Sequence, residues 1–334
     1  MIMISLYCFF LSDCNETIIL TIRIMSMLIL SKEERREAMN SENGLQVVKP
    51  DHLAEALLDK NFKGIYEGFS PEFKEQISGI DLAEMGAEFI QGVSAFRPSS
   101  VMILGGLEHR TWVTDTEDRG ILAIFNEAGV ILGLSILGLT SYPETDQKLT
   151  KTEFSLPFHG DWLVFWGGSN ELNNYHYEYE SQRYAFDFVK EVEGYTFEGD
   201  PMLNESYHAF GQDITAPADG IVVEVINDIP DNSPVGVMNE KEPAGNVVVI
   251  DHGEEYSFLA HLKQGSILVQ IGDEVKTGQV IGQLGNSGNS SEPHLHYQVS
   301  DGADLFNSRS LNIRWKGDIR PVKGNIVTGT TEKY

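Results

Sequence analysis

The sequence predicts an α+β N-terminal module followed by a mainly β, antiparallel domain. Three observations carry that reading. Apolar residues recur at helical spacing between residues 51 and 93. Runs of Val and Ile alternate with Gly, Asn, Asp and Pro turns after residue 150. The change from one periodicity to the other falls near Tyr142-Pro143.

The elements follow in order. Residues 1–44 read as a leader or disordered segment. Their apolar runs are interrupted by Asp13, Glu16 and Arg23 and lack a cationic start, so no stretch is long enough for a stable membrane span. Leu11-Ser-Asp-Cys14 departs from a lipoprotein cleavage box at Asp13, and the preferred reading is a start of translation at Met25 or Met27. From residue 45 to 145 the pattern is that of a small α+β domain. Leu53, Ala56, Leu57, Phe62, Ile65 and Phe69 trace a helical face, which Pro71 stops or restarts. Residues 80–93 read as a second amphipathic helix. Residues 101–104, 120–125 and 130–137 read as strands, with a hairpin turn at Glu127-Ala-Gly129. In element order alone this module resembles the nuclear-transport-factor-two-like folds. Residues 155–320 form the β domain, and 321–334 read as a C-terminal tail.

Composition bounds the chemistry. The 334 residues carry a formal net charge of −26, which repels phosphate backbones and argues against nucleic acid as a partner. The two cysteines, Cys8 and Cys14, precede the folded body. A Cys-ligated zinc or a stapling disulfide there is therefore excluded, and any metal site must use His and carboxylates. His52 and His109 lack a spaced partner and are read as surface or core residues.

Pro293-His-Leu-His-Tyr-Gln-Val299 is the sharpest feature. On a strand, His294, His296 and Gln298 share one face, and Leu295, Tyr297 and Val299 share the other, apolar one. Imidazole is both a zinc ligand and a proton carrier near neutral pH. His261 ends the strand-like run Phe258-Leu-Ala-His261, and Asp187 lies in Gln182-Arg-Tyr-Ala-Phe-Asp-Phe188. Catalytic zinc sites use three protein ligands and leave a position for water. Two histidines and Asp187 satisfy that count and leave one histidine for proton transfer.

Several segments then occur together in one order. They are Ala216-Pro-Ala-Asp-Gly-Ile-Val222, Gly245-Asn-Val-Val-Val-Ile-Asp-His-Gly253, Leu259-Ala-His-Leu-Lys263, Gly272-Asp-Glu-Val-Lys-Thr-Gly-Gln-Val-Ile-Gly282, Gly285-Asn-Ser-Gly288 and the His294-x-His296 run. Over about residues 176–300 this closely resembles the lysostaphin/LytM-type zinc metalloendopeptidases, which hydrolyse peptidoglycan. The resemblance implies a lysostaphin-like β domain, a Zn2+ cofactor, a peptidoglycan peptide as substrate and an extracellular or wall-associated location. It implies Asp187 and His296 as metal ligands and His261 and His294 as catalytic residues. The family places its first ligand His four residues before the Asp, where this chain has Arg183. Alignment with the family favours His176 as the missing ligand, with His208 as the alternative. Two other classes stay open. A degenerate binding module would explain Arg183. A phosphocarrier-type barrel shares the Gly272–Gly282 hairpin but would not need Asp187 or a third histidine.

Overall fold

The computed structural model describes residues 48–329. The chain divides into two compact units, Met1–Thr140 and Ser141–Tyr334. Leader residues 1–44 lie outside the described range. Among the described residues, no helix is long and apolar enough to cross a membrane.

The first unit begins with four short helices, α1 (Leu53–Leu58), α2 (Phe62–Glu67), α3 (Pro71–Lys74) and α4 (Gly79–Phe89). The helical face beginning at residue 51 is thus broken twice. Asn61 and Ser70 each accept a backbone N–H at a new helix start, and Pro71 occupies the first turn of α3. A four-stranded antiparallel meander follows: β1 (Phe96–Leu104), β2 (Leu107–Thr114), β3 (Arg119–Asn126) and β4 (Ile131–Gly138). The helices and the sheet bury Leu53, Leu57, Ile65, Phe73, Phe125 and Ile131 together. Strand β2 escaped the sequence pattern because Glu108, His109 and Arg110 interrupt its apolar alternation, although His109 and Thr111 are buried.

The second unit opens with helix α5 (Pro143–Asp146) and strand β5 (Leu149–Phe154), both placed by sequence at or before the edge of the β domain. They belong to it for physical reasons. Asp146 accepts hydrogen bonds from the hydroxyls of Tyr177 and Tyr184, and β5 pairs in parallel with β15 (Asn312–Trp315). The expected tail is likewise corrected. Within it, β16 (Ile326–Gly329) pairs with β6 (Gly160–Trp166) and closes one edge of the main sheet.

That sheet has eight antiparallel strands. Besides β6 and β16 it contains β7 (Phe186–Val189), β9 (Gly220–Ile226), β10 (Asn246–Asp251), β11 (Tyr256–Leu262), β12 (Glu274–Val275) and β14 (Leu295–Ser300). Their order is β12-β9-β10-β11-β14-β7-β6-β16. A small pair, β8 (Asp213–Thr215) with β13 (Val280–Gln283), lies outside it. One face of the sheet is packed against a core that includes Phe154, Phe158, Phe188, Leu295, Tyr297, Val299 and Trp315. The other face presents His296, Gln298 and Asp187, as alternation along a half-packed antiparallel strand requires.

Candidate metal centre

Strand pairing builds the centre. His296 on β14 lies directly across from Asp187 on β7, and its Nδ1 stands 3.1 Å from Asp187 Oδ1. Leu295, Tyr297 and Val299 are fully buried on the opposite face, so a one-residue slip would exchange site and core.

His176 arrives from the loop between β6 and β7, in a single 3-10 turn over Tyr175–Glu178. Asn174 starts that turn. Its side-chain amide N donates toward the carbonyls of Gly168, Arg183 and Ala185, so its Oδ1 is the acceptor facing His176 Nδ1 at 2.9 Å. His176 Nδ1 therefore carries the proton. Its Nε2 lone pair points inward, 3.7 Å from Asp187 Oδ2. That nitrogen is buried and has no hydrogen-bond partner among the described residues. An orphaned buried acceptor is expensive unless something positive fills the space.

The same logic fixes His296. Gln298 Nε2 donates to the Ser181 carbonyl and the Ser300 hydroxyl, which leaves its Oε1 to accept from His296 Nε2 at 3.0 Å. His296 Nδ1 is then a second lone pair, aimed at a carboxylate oxygen. Two acceptors at 3.1 Å require a proton or a cation between them. One atom each from His176, Asp187 and His296 lies within 4.8 Å of the others, and all three residues are buried. Each imidazole donates its second N–H to an oxygen, the arrangement that orients metal-bound histidines. The donor set of two imidazoles and one carboxylate suits zinc.

Electrostatics agree. Burial lowers the His176 pKa to about 3, against the attraction of Asp187. Burial pushes the Asp187 carboxyl up, but the attraction of the surrounding His176, His294 and His296 rings and the hydrogen bond with His296 hold it well below the usual range. Burial pulls His296 down, and Asp187 more than reverses that, so His296 is raised. A proton shared between His296 and Asp187 is what raises it.

The other two histidines form a second pair beside this group. His294 precedes β14, and its Nδ1 donates to the Glu292 carbonyl at 2.8 Å. His261 is the penultimate residue of β11, and its Nδ1 donates to the Ser287 carbonyl at 2.8 Å. Both therefore turn Nε2 outward as an acceptor, and their ring centroids lie 4.7 Å apart. His294 Nε2 is 3.8 Å from Asp187 Oδ1. Burial holds His261 well below the ordinary imidazole range, and the neighbouring histidines add to the effect. Its backbone is left-handed, with φ 63°, and is held by a hydrogen bond from its N–H to the Ala244 carbonyl. Gly245, at φ 58°, lies so close that a Cβ there would strike the Ser287 backbone, which carries the His261 ring.

His208 is not in the cluster. It is half-buried after a separate 3-10 turn, and its backbone N–H is bonded to Thr196. Arg183 is turned away. Its guanidinium lies 3.4 Å from the Tyr142 ring centroid, and its Nε donates to the Tyr177 carbonyl. Asn174 and Gln298 orient the cluster, yet the sequence assigned them no role. Gln298 was legible only as a polar residue sharing the histidine face.

An antiparallel β domain with a buried His-Asp-His cluster and two flanking histidines offers a donor set that could hold a metal ion. Residues 206–308 match Peptidase family M23. His261, His294 and His296 fall inside the matched stretch, whereas His176 and Asp187 precede it. Over 80 residues the chain is 42% identical to the peptidoglycan DD-endopeptidase ShyA of Vibrio cholerae, covering 24% of this chain and 18% of that protein. Over 72 residues it is 44% identical to an uncharacterized metalloprotease of Buchnera aphidicola, covering 21% and 19%. The chain thus spans less than a fifth of either relative. Among solved structures, the catalytic domain of lysostaphin from Staphylococcus simulans matches at 22% identity and TM-score 0.25, covering 38% of this chain and 73% of that one.

Proposed function

We propose that the second unit is a zinc-dependent endopeptidase acting on peptide bonds in peptidoglycan. His176 Nε2, an Asp187 oxygen and His296 Nδ1 would hold the ion. The observation that carries this is the pair of inward lone pairs around Asp187, one of them buried and unpartnered. Zinc held by these residues would supply an acidified water and a polarised scissile carbonyl.

The chain's own residues do the rest. His261 and His294 offer Nε2 as proton acceptors because their Nδ1–H groups are committed to backbone carbonyls. One takes the proton of the attacking water and returns it to the leaving amine. The other offers a second Nε2 acceptor beside it and shares that one proton. At 4.7 Å between centroids the two rings disfavour each other's charge, so one proton at a time resides on the pair.

The test is purified protein incubated with isolated peptidoglycan, with metal content measured and released fragments identified by mass spectrometry. One zinc per chain and new amino termini, abolished by chelation and restored by zinc, are expected. Arg183 in the usual ligand position favours a second reading, a binding module without activity. Stoichiometric zinc with no new termini would select it.

A further inference from the structure

The open face of the sheet continues away from the metal centre. By strand register, one row of residues crosses it as Glu224, Val249, Phe258 and Gln298, on β9, β10, β11 and β14. Gln298 is the residue that accepts from His296. Along this row lies a cleft of about 490 Å³. Val247, Val249 and Phe258 form its apolar floor, and Leu305 and Phe306 flank it. Phe306 is 54% exposed, although nothing polar about its ring calls for water.

The rim is acidic. Glu224, Glu242 and Asp304 line the cleft, and among the described residues no Lys, Arg or His does. The Asp304 carboxylate is engaged by Asn307 and the Phe306 N–H. Glu224 and Glu242 have no ion-pair partner among the described residues. The cleft also shares a wall with the site, since Ala244 lines it and the Ala244 carbonyl holds the His261 backbone.

We propose that this cleft binds the portion of the peptide substrate that carries a primary amine on an aliphatic side chain. The inference rests on the peptidase reading of the same site. The floor takes the aliphatic stem, and Glu224 with Glu242 takes the ammonium. Three strand spacings separate β9 from β14, about 14 Å, or roughly four residues of extended chain. The amine therefore lies within about four residues of the bond cut. A second copy of this chain is a poor occupant, because a net charge of −26 repels itself.

The test is equilibrium binding of the full chain to soluble, uncross-linked stem peptides from peptidoglycan, before and after N-acetylation of their free amines. Acetylation is expected to weaken binding about tenfold, and high salt to erase the difference. The double variant Glu224→Gln/Glu242→Gln is expected to lose the same factor on the free-amine peptide and to ignore acetylation. Its zinc content and melting temperature report that it folds. Equal binding of both peptide forms, or a preference that survives the double variant, overturns the proposal. So does self-association abolished by those substitutions without any peptide preference. Binding with the expected preference but no hydrolysis would instead sink the peptidase reading alone.

Discussion

At the scale of single residues, each ring in the centre is fixed by the partner of its other nitrogen. Removing Gln298 leaves His296 Nε2–H buried and unpaired. Gln298→Ala is therefore expected to weaken zinc binding about 10- to 100-fold while the fold persists, measured by competition with a metal buffer. An unchanged affinity would mean that His296 is not held as described. His261→Ala and His294→Ala should retain zinc and lose about 10²- to 10⁴-fold in hydrolysis. Loss of the metal in either variant would move that residue into the ligand set. Protons compete unequally. His176, lowered to about 3, stays neutral at ordinary pH, and Asp187 stays ionised. His296 is raised, so its pair with Asp187 stabilises the metal-free fold below the unfolded imidazole value and is lost as pH climbs through the folded one. Zinc must displace that proton. Affinity should then fall about tenfold per pH unit below the raised His296 value, a slope of one proton. A slope of two would show His176 protonating as well.

At the scale of elements, the strand that carries His296 was readable because its two faces differ so sharply. Three apolar residues alternate with His, Gln and Ser, and alternation puts them on opposite sides. The loop that delivers His176 was not readable in this way. Its course depends on Arg183 against Tyr142, on Asn174 bridging three carbonyls and on Tyr177 reaching Asp146, contacts between residues far apart in sequence. Sequence could narrow the ligand to His176 or His208 only by comparison with a motif that this chain breaks at Arg183. Strand β5 was missed because its Lys151 and Glu153 look like loop residues, and β16 because Pro321 and Gly324 just before it look like a tail. Arg183→Ala should loosen the loop, weaken zinc binding and lower stability by about 1–2 kcal/mol through the lost ring contact. His208→Ala should change neither, as calorimetry and metal titration would show. The reverse ranking would contradict the loop's role.

At the scale of the whole molecule, the two units have separate cores. The cluster of the second unit draws its buried residues from Phe154 to Val327, and that of the first from Leu53 to Leu134. A fragment of residues 141–334 is therefore expected to fold cooperatively and bind zinc as the full chain does, checked by circular dichroism and metal analysis. A fragment that stays unfolded would show that the second core is incomplete alone. Every group assigned to the chemistry lies in that unit, so the central claim reduces to where one ion sits. The most direct measurement is anomalous diffraction at the zinc edge from crystals of the zinc-loaded chain. The expected result is a single peak bonded at about 2.0–2.2 Å to His176 Nε2, Asp187 and His296 Nδ1. A peak ligated by His208, or none at all beside Asp187, would contradict the account.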